Sequence, residues 1–197
     1  MQANTGKSTK SCRDAIKQWE ENNGISAAEA TEVSLIAQNP PIERLDDTLN
    51  QFENATKLSL STNVIISMVA LPKLTNLKIL SLGRNNIQRI RFLEDLSGSL
   101  EELWMSYNNV SNLDGLSSLQ KLHTFYISNN KISDWQQIAK CAELSSLRSV
   151  VFESNPVYGS QSKEKNWPMV FKKIPQLETI DGTIVDAQVR QEAEQLD

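Results

Sequence analysis

Cysteine and histidine are nearly missing from this chain: Cys12, Cys141 and His123 are the whole supply in 197 residues. Two thiols so far apart, in no metal-ligand spacing, exclude a disulfide-stapled scaffold and a cysteine-based metal centre, and they read as reduced thiols of a cytosolic protein. A lone imidazole with neither a second histidine nor a nucleophile elbow near it offers no catalytic constellation and reads as a surface residue. No run approaches the roughly 18 apolar residues of a membrane-spanning helix, and the opening "MQANTGKSTKSC" lacks the apolar core of a signal peptide. A soluble intracellular chain with no membrane partner is therefore expected. Basic charge is scarce as well: 20 Lys and Arg against 24 Asp and Glu leave a net charge of −4, which argues against a nucleic-acid partner.

One stretch imitates a phosphate-binding loop. In "NTGKSTK", Gly6, Lys7 and Ser8 match the end of the G-x-x-x-x-G-K-[ST] pattern, but the first glycine would fall on Met1 and no strand precedes it to present the loop. The segment reads as a basic arm. Asp and Glu are scattered over loop and helix positions as a solvated face would have them. No enzyme, cofactor or metal is expected.

What the chain does contain is a repeat. The pattern L-x-x-L-x-L-x-x-N-x-I recurs in "LKILSLGRNNI", "LEELWMSYNNV", "LHTFYISNNKI" and "LRSVVFESNPV", with an earlier copy, "ATKLSLSTNVI", and a degenerate one, "ATEVSLIAQNP". The residues at the Asn position are Gln38, Asn63, Asn85, Asn108, Asn130 and Asn155, separated by 25, 22, 23, 22 and 25 residues. This is a leucine-rich repeat of about six copies. The fourth and sixth positions of each copy, such as Leu80 and Leu82, point to one side of a short strand, and stacking merges those sides into a single core. Each Asn follows where the chain leaves the strand, and its amide can satisfy backbone groups left unpaired there. Beyond the Asn, apolar residues fall three apart, as in Ile87, Ile90, Leu93 and Leu96, or Ile132, Trp135 and Ile138. That spacing predicts short helical segments on the return path with these side chains turned inward.

The predicted fold is an α/β right-handed solenoid, a parallel sheet on one face and short helices on the other. An arm and helical cap occupy residues 1–30, the repeats 31–157, and a cap with a terminal helix 158–197. Cys12, Ala15, Ile16 and Trp19 lie on one face of the first helix, with Ser11 as N-cap and Gly24 at its C-terminal end. The polar tail "TIVDAQVRQEAEQLD" predicts a helix that covers part of the fold and projects from it.

The fifth position of each copy points outward across the sheet, and its row reads Ser34, Ser59, Ser81, Trp104, Tyr126, Val151. Three serines give way to three apolar residues on adjacent strands, about 4.8 Å apart. Two positions earlier stand Glu32, Lys57, Ile79, Glu102, Thr124 and Ser149; two later, Ile36, Ser61, Gly83, Ser106, Ser128 and Glu153. Aromatic side chains framed by small and polar residues make a protein-binding surface of Ile79, Ser81, Trp104, Ser106, Tyr126, Ser128, Val151 and Glu153.

"KSTKSCRDAIKQWEE", "LKILSLGRNNI", "LEELWMSYNNV" and the closing "IPQLETIDG" together resemble the leucine-rich-repeat light chains of axonemal outer-arm dynein, within the 22-residue subfamily shared with phosphatase-regulating proteins. Ala55 and Gln38 depart from the family's repeat. The resemblance implies a non-catalytic adaptor that binds a dynein heavy chain in its motor region, near microtubules, and regulates ciliary or flagellar beating. It implies cytoplasm, cytoskeleton and axoneme as location, a monomer before assembly, the heavy chain on the apolar patch, and Arg190 as a contact toward motor or tubulin. Related repeats also serve phosphatase-regulatory and ribonucleoprotein scaffolds, which is the alternative function.

Overall fold

Leu58, Leu80, Leu103, Phe125 and Val150 are each buried at the centre of a three-residue strand whose two neighbours face outward. That period of two is what a half-buried strand requires. A computed structural model describes residues 9–196 and places these strands in one sheet. Its members are β1 (Glu32–Ser34), β2 (Lys57–Ser59), β3 (Ile79–Ser81), β4 (Glu102–Trp104), β5 (Thr124–Tyr126), β6 (Ser149–Val151), β7 (Thr179–Ile180) and β8 (Thr183–Ile184). They lie in chain order; the first seven are parallel and β8 runs antiparallel to β7. The "NTGKSTK" reading rests mostly on residues outside those described.

The asparagines build a ladder behind the strands. Asn108 accepts a hydrogen bond from the Ile87 N–H at 2.9 Å and donates to the carbonyls of Leu82 and Met105 at 3.0 and 3.1 Å. Each Asn thus ties its own strand to the preceding repeat, and Asn63, Asn85, Asn130 and Asn155 do the same. The residue before each rung takes a left-handed backbone: Thr62, Arg84, Tyr107, Asn129 and Ser154 all have positive φ. Ala37 shares it, so the first repeat keeps the register although Gln38 is no rung: its Oε1 accepts from Lys10 Nζ at 3.2 Å.

The return path is only partly helical. Short 3₁₀ turns occupy Asp47–Gln51, Glu94–Leu96 and Asp114–Leu116, and α2 spans Trp135–Ala139, but the chain between β2 and β3 forms turns without a helix. Pro72 supplies a reason, because it pushes Leu71 out of the helical region and lacks an N–H of its own. Gly115 matters for packing: a Cβ there would lie 2.2 Å from the Ile90 carbonyl oxygen, so the fourth repeat can approach the third only without one. Trp135 begins α2, packs against the core while half-buried, and stacks on Tyr158 with ring centroids 6.2 Å apart. His123 is partly exposed, with Nδ1 2.9 Å from Thr124 Oγ1.

Both ends are sealed. Helix α1 (Cys12–Asn23) buries Cys12, Ala15, Ile16 and Trp19; Ser11 accepts from the Asp14 N–H and Gly24 closes the helix at φ 68°. Burial pushes the Cys12 thiol up to about 11 and the Cys141 thiol up to about 12.

At the far end Asp181 takes over from the asparagines. Its Oδ1 accepts from the N–H groups of Phe152 and Glu153 at 2.7 and 3.0 Å. Its Oδ2 accepts from Tyr158 Oη at 2.8 Å and Trp167 Nε1 at 2.9 Å. With Gly182, also at positive φ, Asp181 turns β7 back onto β8. Helix α3 (Trp167–Lys173) then carries α4 (Ala187–Glu194). The expected projecting helix instead lies against the fold, because Val185, Val189 and Ala193 make an apolar stripe that α3 covers.

Candidate partner-binding face

The two outward residues of each repeat strand line up by pairing. Ser59, Ser81, Trp104, Tyr126 and Val151 are consecutive Cα partners across β2 to β6, and Lys57, Ile79, Glu102, Thr124 and Ser149 form the row beside them. Trp104 is half-buried in the open sheet, its ring 6.0 Å from that of Tyr126 and inclined by 19°. Its Nε1–H donates to Glu102 Oε2 at 3.0 Å. The indole's polar edge is thereby satisfied, while its apolar face stacks on Tyr126.

Small residues keep the approach low. Ser81 donates to or accepts from Ser61 at 2.7 Å, and Ser128 donates to Ser106 at 2.9 Å. Ser59 and Ser81 are buried at the base of a groove of about 420 Å³, lined also by Lys57, Ser61 and Ile36, with Trp104 as one wall. Val151 continues the apolar row beyond Tyr126. At its far border Glu153 pairs with Lys163 at 3.1 Å, and that carboxylate holds the ammonium above its ordinary pKa.

The structure therefore brings Ile79, Ser81, Trp104, Ser106, Tyr126, Ser128, Val151 and Glu153 onto one face, and Arg190 elsewhere. Arg190 lies on α4 with its guanidinium 4.7 Å from the Phe171 ring centroid. Sequence reasoning passed over Lys57, Ile36 and Ser61 as members of the groove, although the same row reading held them. It also passed over the bond that Trp104 donates to Glu102, for which residue spacing carries no signal. Among the described residues no group of three His, Cys, Asp or Glu could hold a metal ion, and no helix is long and apolar enough to cross a membrane.

A family model for leucine-rich repeats in two copies matches residues 99–140. The human protein dynein axonemal light chain 1 is 45% identical over 174 residues, covering 88% of this chain and 92% of its own length. The chain belongs to the axonemal dynein light chain 1 family. The Chlamydomonas reinhardtii member is 41% identical over 186 residues, covering 92% of this chain and 93% of its own. Among solved structures, an internalin from Listeria monocytogenes superposes with TM-score 0.51 at 17% identity, covering 87% of this chain and 54% of that one, a likeness of fold alone. In this family member the leucine-rich-repeat solenoid leaves Trp104, Tyr126 and Val151 side by side on the sheet.

Proposed function

We propose that this chain is a non-catalytic light chain that binds the motor region of an axonemal dynein heavy chain and regulates ciliary or flagellar motility. The observation that carries the reading is the uncovered row Trp104, Tyr126 and Val151 in a member of a dynein light chain family. Two stacked aromatics beside a valine are anchors that a partner's apolar side chains can bury, and the serine groove admits main chain or small residues alongside them. Ile79, Ser81, Ser106, Ser128 and Glu153 form its surround. The protein acts as a monomer until it joins the motor at the axoneme, and Arg190 serves as a polar contact toward motor or microtubule. Residues 31–157 work as the binding body and the flanking segments as caps.

Capture of the heavy-chain motor domain by the purified chain tests the reading. Trp104→Ala with Tyr126→Ala should weaken capture at least about 30-fold, the scale of one interface anchor. The thermal melt should stay within a few degrees of the parent. Undiminished capture by the double variant, or recovery of phosphatase or spliceosomal proteins with no heavy chain from ciliated-cell extract, defeats the proposal.

A further inference from the structure

Phe92 stands apart from every other strained residue in the chain. Among the described non-glycine residues with positive φ, Asp181 belongs to the β7–β8 turn and six precede the rung position, where the repeat demands it. Phe92, at φ 60°, answers to neither requirement. A bulky aromatic in that conformation persists only where something retains it, and such outliers gather at functional sites. The residue is 46% exposed, so burial in this chain does not retain it.

The surroundings have a consistent chemistry. Phe92 lines a groove of about 800 Å³ between the third and fourth repeats, with Arg89 and Arg91 on its side and Asn109, Ser111 and Gly115 across from it. Beside Asn109, Tyr107 is exposed with the Arg84 guanidinium 4.3 Å from its ring centroid. Among the described residues, no carboxylate oxygen lies within 4.0 Å of the Arg84, Arg89 or Arg91 guanidinium. Of the two carboxylates lining the groove, Asp114 is engaged by Lys140, which leaves Glu94. In the groove itself, Arg89 and Arg91 stand without a carboxylate partner beside the exposed Phe92, against the single unengaged carboxylate Glu94, so two guanidiniums and an aromatic ring are offered to an acidic ligand.

We propose that this groove is a second docking site, separate from the sheet face, that takes an acidic polypeptide segment. Its carboxylates pair with Arg89 and Arg91 and an apolar side chain packs on Phe92. The left-handed backbone at Phe92 is retained because it aims the ring into that contact. The reading is independent of what covers Trp104.

Fluorescence anisotropy tests it, using the full chain and a labelled synthetic peptide of glutamates around a central pair of leucines. Saturable binding that weakens with added salt is expected. Phe92→Gly should lose at least about tenfold in affinity without lowering the melting temperature, since glycine takes the left-handed backbone without strain. Arg89→Gln with Arg91→Gln, both at exposed sites, should lose affinity and most of the salt dependence, and it carries the test if Phe92→Gly does not fold. Failure of the parent to bind, parental affinity in both variants, or tighter binding of oligouridylate than of the peptide overturns the proposal.

Discussion

The two halves of the sheet are built alike underneath and differently on top. From β1 to β3 the outward central position is serine, and from β4 to β6 it is tryptophan, tyrosine and valine. Behind both halves run buried aliphatic and aromatic rows, with the same kind of asparagine rung in each, and Asn108 spans the junction between them. The difference separates two sets of demands. Positions facing the core answer to packing and to backbone hydrogen bonds, so they repeat. Positions facing out answer to neither, so a contiguous apolar run there points to what lies outside the chain.

The largest expected effect tests the shared half of that comparison. Asn85→Ala in the serine half and Asn130→Ala in the aromatic half should each destabilise the protein by about 2 to 6 kcal/mol. Each leaves one buried N–H without a partner, at roughly 1 to 3 kcal/mol, and takes one of two asparagine bonds from each of two carbonyls, at roughly 0.5 to 1.5 kcal/mol apiece. Urea unfolding of the two variants measures this, and a gap of several kcal/mol between them would break the equivalence of the halves.

A smaller effect marks where the ladder ends. Asp181→Asn keeps the shape but replaces an acceptor oxygen with a donor, so two of the four hydrogen-bond donors converging there lose their partner. About 1 to 3 kcal/mol of stability should go. Faster amide exchange confined to β6, α3 and the β7–β8 turn would locate the damage, whereas uniform loosening of β1 to β5 would show that the cap is not a local device.

The smallest effect at neutral pH belongs to the buried thiols, which sit among the repeating core residues on the helical side. The Cys141 thiol, pushed up to about 12, binds its proton in the folded chain at pH values where the unfolded chain has released it. Its stabilising contribution is therefore complete below about pH 9 and is lost as pH rises toward 12. Iodoacetamide at pH 8 should leave Cys141 unlabelled until denaturant is added, and mass spectrometry would read the difference.

Much of this architecture is legible in residue spacing. The rows through Ser81, Trp104 and Tyr126 come out of simple alignment of the copies, and the strand pairing has that same register. Gln38 is instructive, because the first repeat holds its place without a rung: Val33 and Leu35 still fill the core. Trp135 packs on the core as its spacing predicts, but it stays half-buried at the start of α2, stacked on Tyr158. The polar tail shows that a helix covers part of the fold, but Val185, Val189 and Ala193 form a stripe too sparse to name α3 as the surface it lies on.

The amino-acid sequence by itself determined the repeat, the register and the exposed aromatic row, since a solenoid copies one local geometry and any residue's place follows from its offset to the nearest rung. Only the tertiary structure decided that Asp181 gathers four donors, that Trp104 gives its N–H to Glu102, that Arg190 lies over Phe171, and that Phe92 turns out beside Arg89 and Arg91. Each of these occurs once. A contact or backbone turn with no second copy leaves no period in the chain, and it exists only when packing brings those particular side chains within reach.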